Sequence, residues 1–131
     1  MGDIKIFDRG DKPQAWIEFD EDTEVLLEYT EKDDLEEIRA IANKQAKLAR
    51  TDNTEGIFNV LLGKRKVKDW RKRSDHSHPG LLVNGEPFPF SEENVVFLMK
   101  RSLDFSSFVN ETCLRYKNFD QAEREREVKN S

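Results

Sequence analysis

Val67-Lys-Asp-Trp70, a basic and polar loop, and then Asn84-Gly-Glu-Pro-Phe-Pro-Phe-Ser-Glu-Glu-Asn94 running into Val95-Val-Phe-Leu-Met99 form the stretch on which the reading of this chain turns. Ser91 reads as a helix N-cap, because its hydroxyl can accept from a first-turn amide. Glu92 and Glu93 put negative charge where the helix dipole favours it. Phe90 ahead of the cap and Val95 five residues on have the spacing of a hydrophobic staple. Asn94 stands where a full capping box has Glu or Gln. Asn84-Gly85 is a turn pair, and Pro87 and Pro89 keep the approach extended. Phe88 and Phe90 are thereby aimed at whatever the helix packs on, with Trp70 as the expected lid.

Downstream, Val95, Val96, Leu98, Met99 and Leu103 share the apolar face of the helix that begins at Glu92. Asp104 is expected to cap a second helix, in which Phe105, Phe108, Val109, Thr112, Cys113 and Tyr116 recur at helical spacing and Phe119 extends the row. The two helices are almost without a linker, which makes them neighbours. Residues 120–131 have no apolar face and read as a polar, charged tail, either a solvated helix end or frayed. Residues 1–119 are then a single domain.

Upstream, Gly56-Ile-Phe-Asn-Val-Leu-Leu62 has the length of a buried strand, but Ile57, Val60 and Leu61 also step as one face of a short helix with Gly63 as its stop, and a helix is the expectation. Before it, Thr30 is the expected cap of a long helix whose stripe is Leu35, Ile38, Ala42, Gln45 and Ala49, widened by Ile41, Ala46 and Leu48. Asp3–Phe7, Ala15–Phe19 and Glu24–Tyr29 are strand candidates, the second with Ala15, Ile17 and Phe19 on one face and Trp16 on the other. Arg71–Pro79 reads as a loop and Leu81–Val83 as a brief extended piece. The fold class expected is α+β, an N-terminal antiparallel β-meander or hairpin of two to three strands packed by about four helices.

The 131 residues are 36% hydrophobic and 37% charged, against about 25% charged for an average globular chain. Such a balance implies a thin core, disordered ends, or burial completed by a partner. Nine Phe and two Trp argue against wholesale disorder. A single cysteine excludes an internal disulfide framework. No apolar run approaches about 18 residues, and the first residues lack a signal-peptide pattern, so a soluble, intracellular protein without membrane contact is expected.

Chemistry is sparse. Asp75, His76 and His78 could hold a metal, but no cysteine pair or distant histidine completes a ligand set, and a polar loop accounts for them. Cys113 falls on an apolar helix face, which suits packing rather than nucleophilic attack. Neither a glycine-rich phosphate loop nor a Gly-x-Ser-x-Gly elbow occurs. No catalytic residue, cofactor, metal or small-molecule substrate is expected, and the chain does not read as an enzyme. The net charge of -5 hides opposed blocks: acids dominate from Glu18 to Glu37, and bases from Lys64 to Arg73. Either block is read as a solvated face or as a means of pairing with itself or a partner. Lys64, Arg65, Lys66, Lys68, Arg71, Lys72 and Arg73, with Trp70 to stack on a base, form a nucleic-acid patch as an alternative, against which the acidic balance of the whole chain weighs.

Three motifs, in order, resemble those of tail assembly chaperones encoded by tailed bacteriophages and prophages. Ala15-Trp-Ile-Glu-Phe19 leads to an acidic strand and helix, Val25-Leu-Leu-Glu-Tyr29 to Leu35. Val67-Lys-Asp-Trp70 is similar to the Val-x-Asp-Trp that such proteins place before a loop. Asn84-Gly-Glu-Pro-Phe-Pro-Phe-Ser-Glu-Glu-Asn94 is similar to their Asp-Gly-x-Pro-hydrophobic-Pro-Phe-Ser-x-Glu-Asn ahead of a helix. The departure is the basic loop Arg71–Pro79, which replaces a short glycine-bearing link, the first glycine being Gly80. The resemblance implies a non-catalytic factor in the bacterial host cytoplasm that coats the tape measure protein and brings tail tube subunits to it. Some members of the family are also made in a longer, frameshifted form.

A holdase of this kind needs apolar grooves with polar rims. Trp70, Phe88, Phe90, Val95, Phe97 and Leu98 are the candidates for contact with clients or with further copies in a homo-oligomer, and most of the same residues are also read as core. Phe97 stands out because it falls off the Val95–Met99 face. A structural tail component or adaptor is a further alternative.

Overall fold

Thr23, Val25 and Leu27 alternate with Glu24, Leu26 and Glu28. In the computed structural model, which describes residues 2–130, that alternation is a strand, β2 (Thr23–Glu28), with its first set buried. β1 (Gln14–Glu18) pairs antiparallel to it, Ala15 opposite Leu27 and Ile17 opposite Val25. β3 (Val67–Lys72) pairs antiparallel along the other side, giving the sheet order β1-β2-β3. Helices pack on this sheet, so the fold is α+β, as the sequence pattern implies.

The third strand is not the one expected. Asp3–Phe7 forms no strand; Ile4 and Ile6 are exposed, and Phe7 packs against the rings of Tyr29 and Tyr116. Its place is taken by β3, so Arg71 and Lys72 belong to a strand rather than to a loop. The register explains why β3 hides in the sequence. Leu26 lies opposite Asp69 but Leu27 opposite Val67, so Lys68 is an extra residue. That bulge lets Val67 and Trp70, three apart, both face the core, and a period of two is absent from the sequence.

α1 (Lys32–Ala49) starts one residue later than expected. Glu31 is its cap, in a reciprocal capping box in which the Asp34 carboxylate accepts from the Glu31 amide at 3.0 Å. Thr30 is buried just ahead, donating its amide to the Cys113 carbonyl at 2.8 Å. The buried row is Asp34, Ile38, Ala42 and Ala46, leaving Gln45, Leu48 and Ala49 outside. α2 (Thr54–Lys66) is longer than expected and runs straight into β3. Gly63 is an interior residue of α2, not its stop. The inward row is Phe58, Leu62, Gly63 and Lys66, whereas Ile57, Val60 and Leu61 are only half-buried.

β4 (Leu82–Val83) and β5 (Glu86–Pro87) form a small hairpin around Asn84-Gly85. Both turn residues have positive φ, 52° and 83°, which a two-residue turn of this hand requires. The Ser91 hydroxyl caps α3 (Glu92–Arg101), accepting from the Asn94 amide at 3.1 Å. Asn94 turns its own amide back to the Pro89 carbonyl, 2.8 Å away. α4 (Leu103–Thr112) is capped by Ser102, not by Asp104, and Leu103 is exposed rather than on the apolar face of α3. After Cys113 a single 3-10 turn, Tyr116–Asn118, delivers Phe119 into the core. The C-terminal segment is helical, α5 (Asp120–Asn130), with Ala122 against the core. Among the described residues no helix is long and apolar enough to cross a membrane.

Candidate protein-binding surface

Trp70 gathers the decisive sequence motif around itself. Its indole N–H donates to the Phe88 carbonyl at 2.7 Å, Phe88 lies parallel to it at 6.2 Å, and Phe90 and Phe105 meet it edge-on at 5.1 and 5.8 Å. The proline-braced approach to α3 is thus clamped by one hydrogen bond and by edge-to-face ring contacts. Trp70 is a floor, not a lid. It is 2% exposed, and Val95 and Leu98 are 1% and 7% exposed, so these three candidates are core residues. Phe88 is half-buried, while Phe90 and Phe97 keep 36% and 39% of their surface. With Phe97 at 5.7 Å from Phe88, these three rings form an aromatic ledge along the start of α3.

A second apolar surface lies where α2 meets α3. Ile57, Val60 and Leu61 of α2, with Met99 of α3, line a groove of about 610 Å³ rimmed by Gln45, Asn53, Asn59, Lys64 and Lys100. A second depression of about 310 Å³, lined by Ile38, Ile41, Leu61, Lys64, Arg65 and Lys68, shares Leu61 and Lys64 with the first. Ile57, Val60 and Leu61 do share one face of α2, and Ile57 and Leu61 also pack against the edge of the core. The groove opens because this second apolar row of α2 lies beside the buried Phe58-Leu62 row and is only half covered.

The basic segment is split between two elements and is largely neutralised from within. Lys64, Arg65 and Lys66 end α2, while Lys68, Arg71 and Lys72 lie on β3. The pairs are Lys64 with Glu92, Arg65 with Glu37, Lys68 with Glu28, Arg71 with Glu24 at 2.6 Å, and Arg73 with Glu18 and Glu24. The Arg71 guanidinium also lies 3.8 Å from the centre of the Trp16 ring. Lys66 is buried and bonds Glu28 at 2.8 Å and Asp34 at 3.3 Å. Most of the acidic partners come from the Glu18–Glu37 block, so the opposed blocks meet inside one chain, across the β2–β3 pairing and the α1–α2 contact.

Asp34 also receives Lys12, 2.6 Å away, and Lys12 reaches Asp33 at 2.7 Å and Glu31 at 3.4 Å. Burial alone would push the Asp34 carboxyl upward. Lys12, the Glu31 amide and Lys66 outweigh it and hold the group below the usual carboxylate range. Burial opposes the charge on Lys12 too, yet Asp33 and Asp34 raise its pKa above the ordinary lysine value. No sequence pattern announces this cluster, because Lys12, Asp34 and Lys66 are far apart along the chain.

The remaining reactive groups are occupied or isolated. The His78 Nδ1 accepts from the Gly80 amide at 2.9 Å, His76 is 3.9 Å from Glu24, and Asp75 accepts from the Ser77 hydroxyl at 2.6 Å. Among the described residues no group of three or more His, Cys, Asp or Glu side chains is placed to hold a metal ion. Cys113 is fully buried, and burial raises its thiol pKa, away from thiolate chemistry. Neither a family model, nor a curated protein, nor a solved structure matches this chain.

Proposed function

We propose that this chain is a non-catalytic factor of phage or prophage tail assembly that holds apolar segments of tape measure and tail tube proteins. The observation that carries this reading is the half-buried row Ile57-Val60-Leu61 at the edge of the core, which lines an open, apolar groove with an amide and lysine rim. A groove of that kind takes the apolar face of a client helix, with affinity from the floor and orientation from the rim. The resemblance of the Val67–Trp70 and Asn84–Asn94 segments to tail assembly chaperones supplies the client class. The aromatic ledge of Phe88, Phe90 and Phe97 is a second contact surface for the same role.

Co-expression with the tape measure and tail tube proteins of the same gene cluster tests the proposal. Clients should become soluble and co-purify with the chain, and Val60→Asp should lower their recovery severalfold. Clients that aggregate equally with and without the chain would refute the reading. Detection of the chain in purified particles would reassign it to a structural component.

A further inference from the structure

We infer that the two joined depressions on α1, α2 and α3 accept an amphipathic helix whose apolar stripe is flanked by carboxylates. This rests on reading the groove as a protein-binding surface and adds the charge of the partner. Four cationic side chains, Lys64, Lys100, Arg65 and Lys68, line the two depressions, and among the described residues no carboxylate lines either. On a chain of net charge -5, the lining itself is thus cationic. Lys100 makes no ion pair among the described residues. The other three have partners, Glu92, Glu37 and Glu28, that stand outside the lining, the closest contact being 3.2 Å. Partly exposed pairs of this kind contribute little and exchange readily, so an incoming carboxylate can take up the same lysines as the groove loses water.

The geometry matches one face of a helix. The apolar floor runs along α2 from Ile57 to Leu61 and the cations continue through Lys64 and Arg65, a span of about 12 Å at 1.5 Å per residue. A ligand helix presenting apolar residues at i, i+3, i+4 and i+7 covers about the same length. Its flanking positions then meet cations supplied by three elements, Lys64 and Arg65 of α2, Lys100 of α3 and Lys68 of β3. A helix flanked by Lys or Arg would place like charges there, which opposes docking.

Three synthetic peptides of about 18 residues, long enough to hold helix, test this against the intact chain. They share one leucine stripe and differ only in having Glu, Gln or Lys on the flanks. Fluorescence anisotropy should rank them Glu, Gln, Lys, with the Glu peptide about tenfold or more tighter than the Lys peptide and the gap closing as salt rises. The double variant Lys64→Glu, Lys100→Glu should reverse the order. Equal binding of all three, or a Lys peptide that binds best, overturns the charge inference while leaving the groove in place. Failure of every peptide to bind, or binding untouched by Val60→Asp in a chain that keeps its helical circular dichroism, overturns the groove and the inference together.

Discussion

Lys66 is the residue whose burial is hardest to reconcile with its chemistry. At the end of α2 it is 1% exposed and lies between Glu28, Asp34 and the Tyr29 carbonyl. Burying an ammonium is tolerable only because its donors are satisfied and opposite charge surrounds it. Removing it takes a buried counter-charge from two carboxylates, of which Asp34 keeps Lys12 at 2.6 Å and Glu28 keeps Lys68 at 3.9 Å. Lys66→Met should therefore cost about 1–3 kcal/mol in urea unfolding. Asp34 gives the cluster a pH signature. Its folded pKa lies below the unfolded value of 3.8, so its contribution is fully present above that value and drains away as the pH falls through the folded pKa. Stability measured from neutral pH down to about pH 3 should therefore fall on acidification, and Asp34→Asn should lower the neutral value and flatten the fall.

At the scale of elements, the α2–α3 contact is the tightest fit. A Cβ at Gly63 would run into the Met99 side chain and come within 3.2 Å of Val95. Both are buried, so the Cβ fits only if Met99 leaves its packed rotamer and shifts toward the groove it lines. Alanine elsewhere in a helix gains about 1 kcal/mol over glycine. Here Gly63→Ala should instead destabilise by about 1–3 kcal/mol through overpacking. Pairing it with Met99→Ala should recover part of that loss, so the coupling in a double-mutant cycle read by thermal unfolding distinguishes a steric clash from a change in propensity. The same glycine shows how elements were legible. Gly63 looks like a helix stop from its neighbours alone, and only the approach of α3 reveals that a side chain was missing for packing. Ser91, by contrast, was readable as a cap because its partner, the Asn94 amide, is three residues away.

For the whole molecule, the pairing of the acidic and basic blocks decides how the surface presents itself. Six of the seven cations from Lys64 to Arg73 have a carboxylate within ion-pair distance, and Lys72 makes no ion pair among the described residues. Phosphate brings no apolar stripe to fill the groove, so its affinity would have to come from counterion release alone, and displacing these pairs yields little of it. Binding to single-stranded DNA at about 0.15 M salt should accordingly be undetectable by fluorescence anisotropy, and a steep salt-dependent affinity would argue for the nucleic-acid alternative. The apolar groove on α2 and the ledge at Phe88, Phe90 and Phe97 are what remains available to a partner.

The sequence by itself determined the features whose partners are near in the chain: the capped start of α3, the Asn84-Gly85 hairpin turn, the long helix after β2, and the alternation of β1 and β2. Their hydrogen bonds and periodicities close within a few residues, so composition and spacing suffice. Tertiary structure alone decided that β3 rather than Asp3–Phe7 completes the sheet, because a bulge against β2 sets which of its residues face inward. It also decided that Trp70 lies beneath the aromatic cluster, that Lys12 and Lys66 share Asp34, and that one of two apolar rows on α2 stays half-buried. Each of those outcomes depends on which sequence-distant surface packs against a given face, and spacing along the chain does not record that.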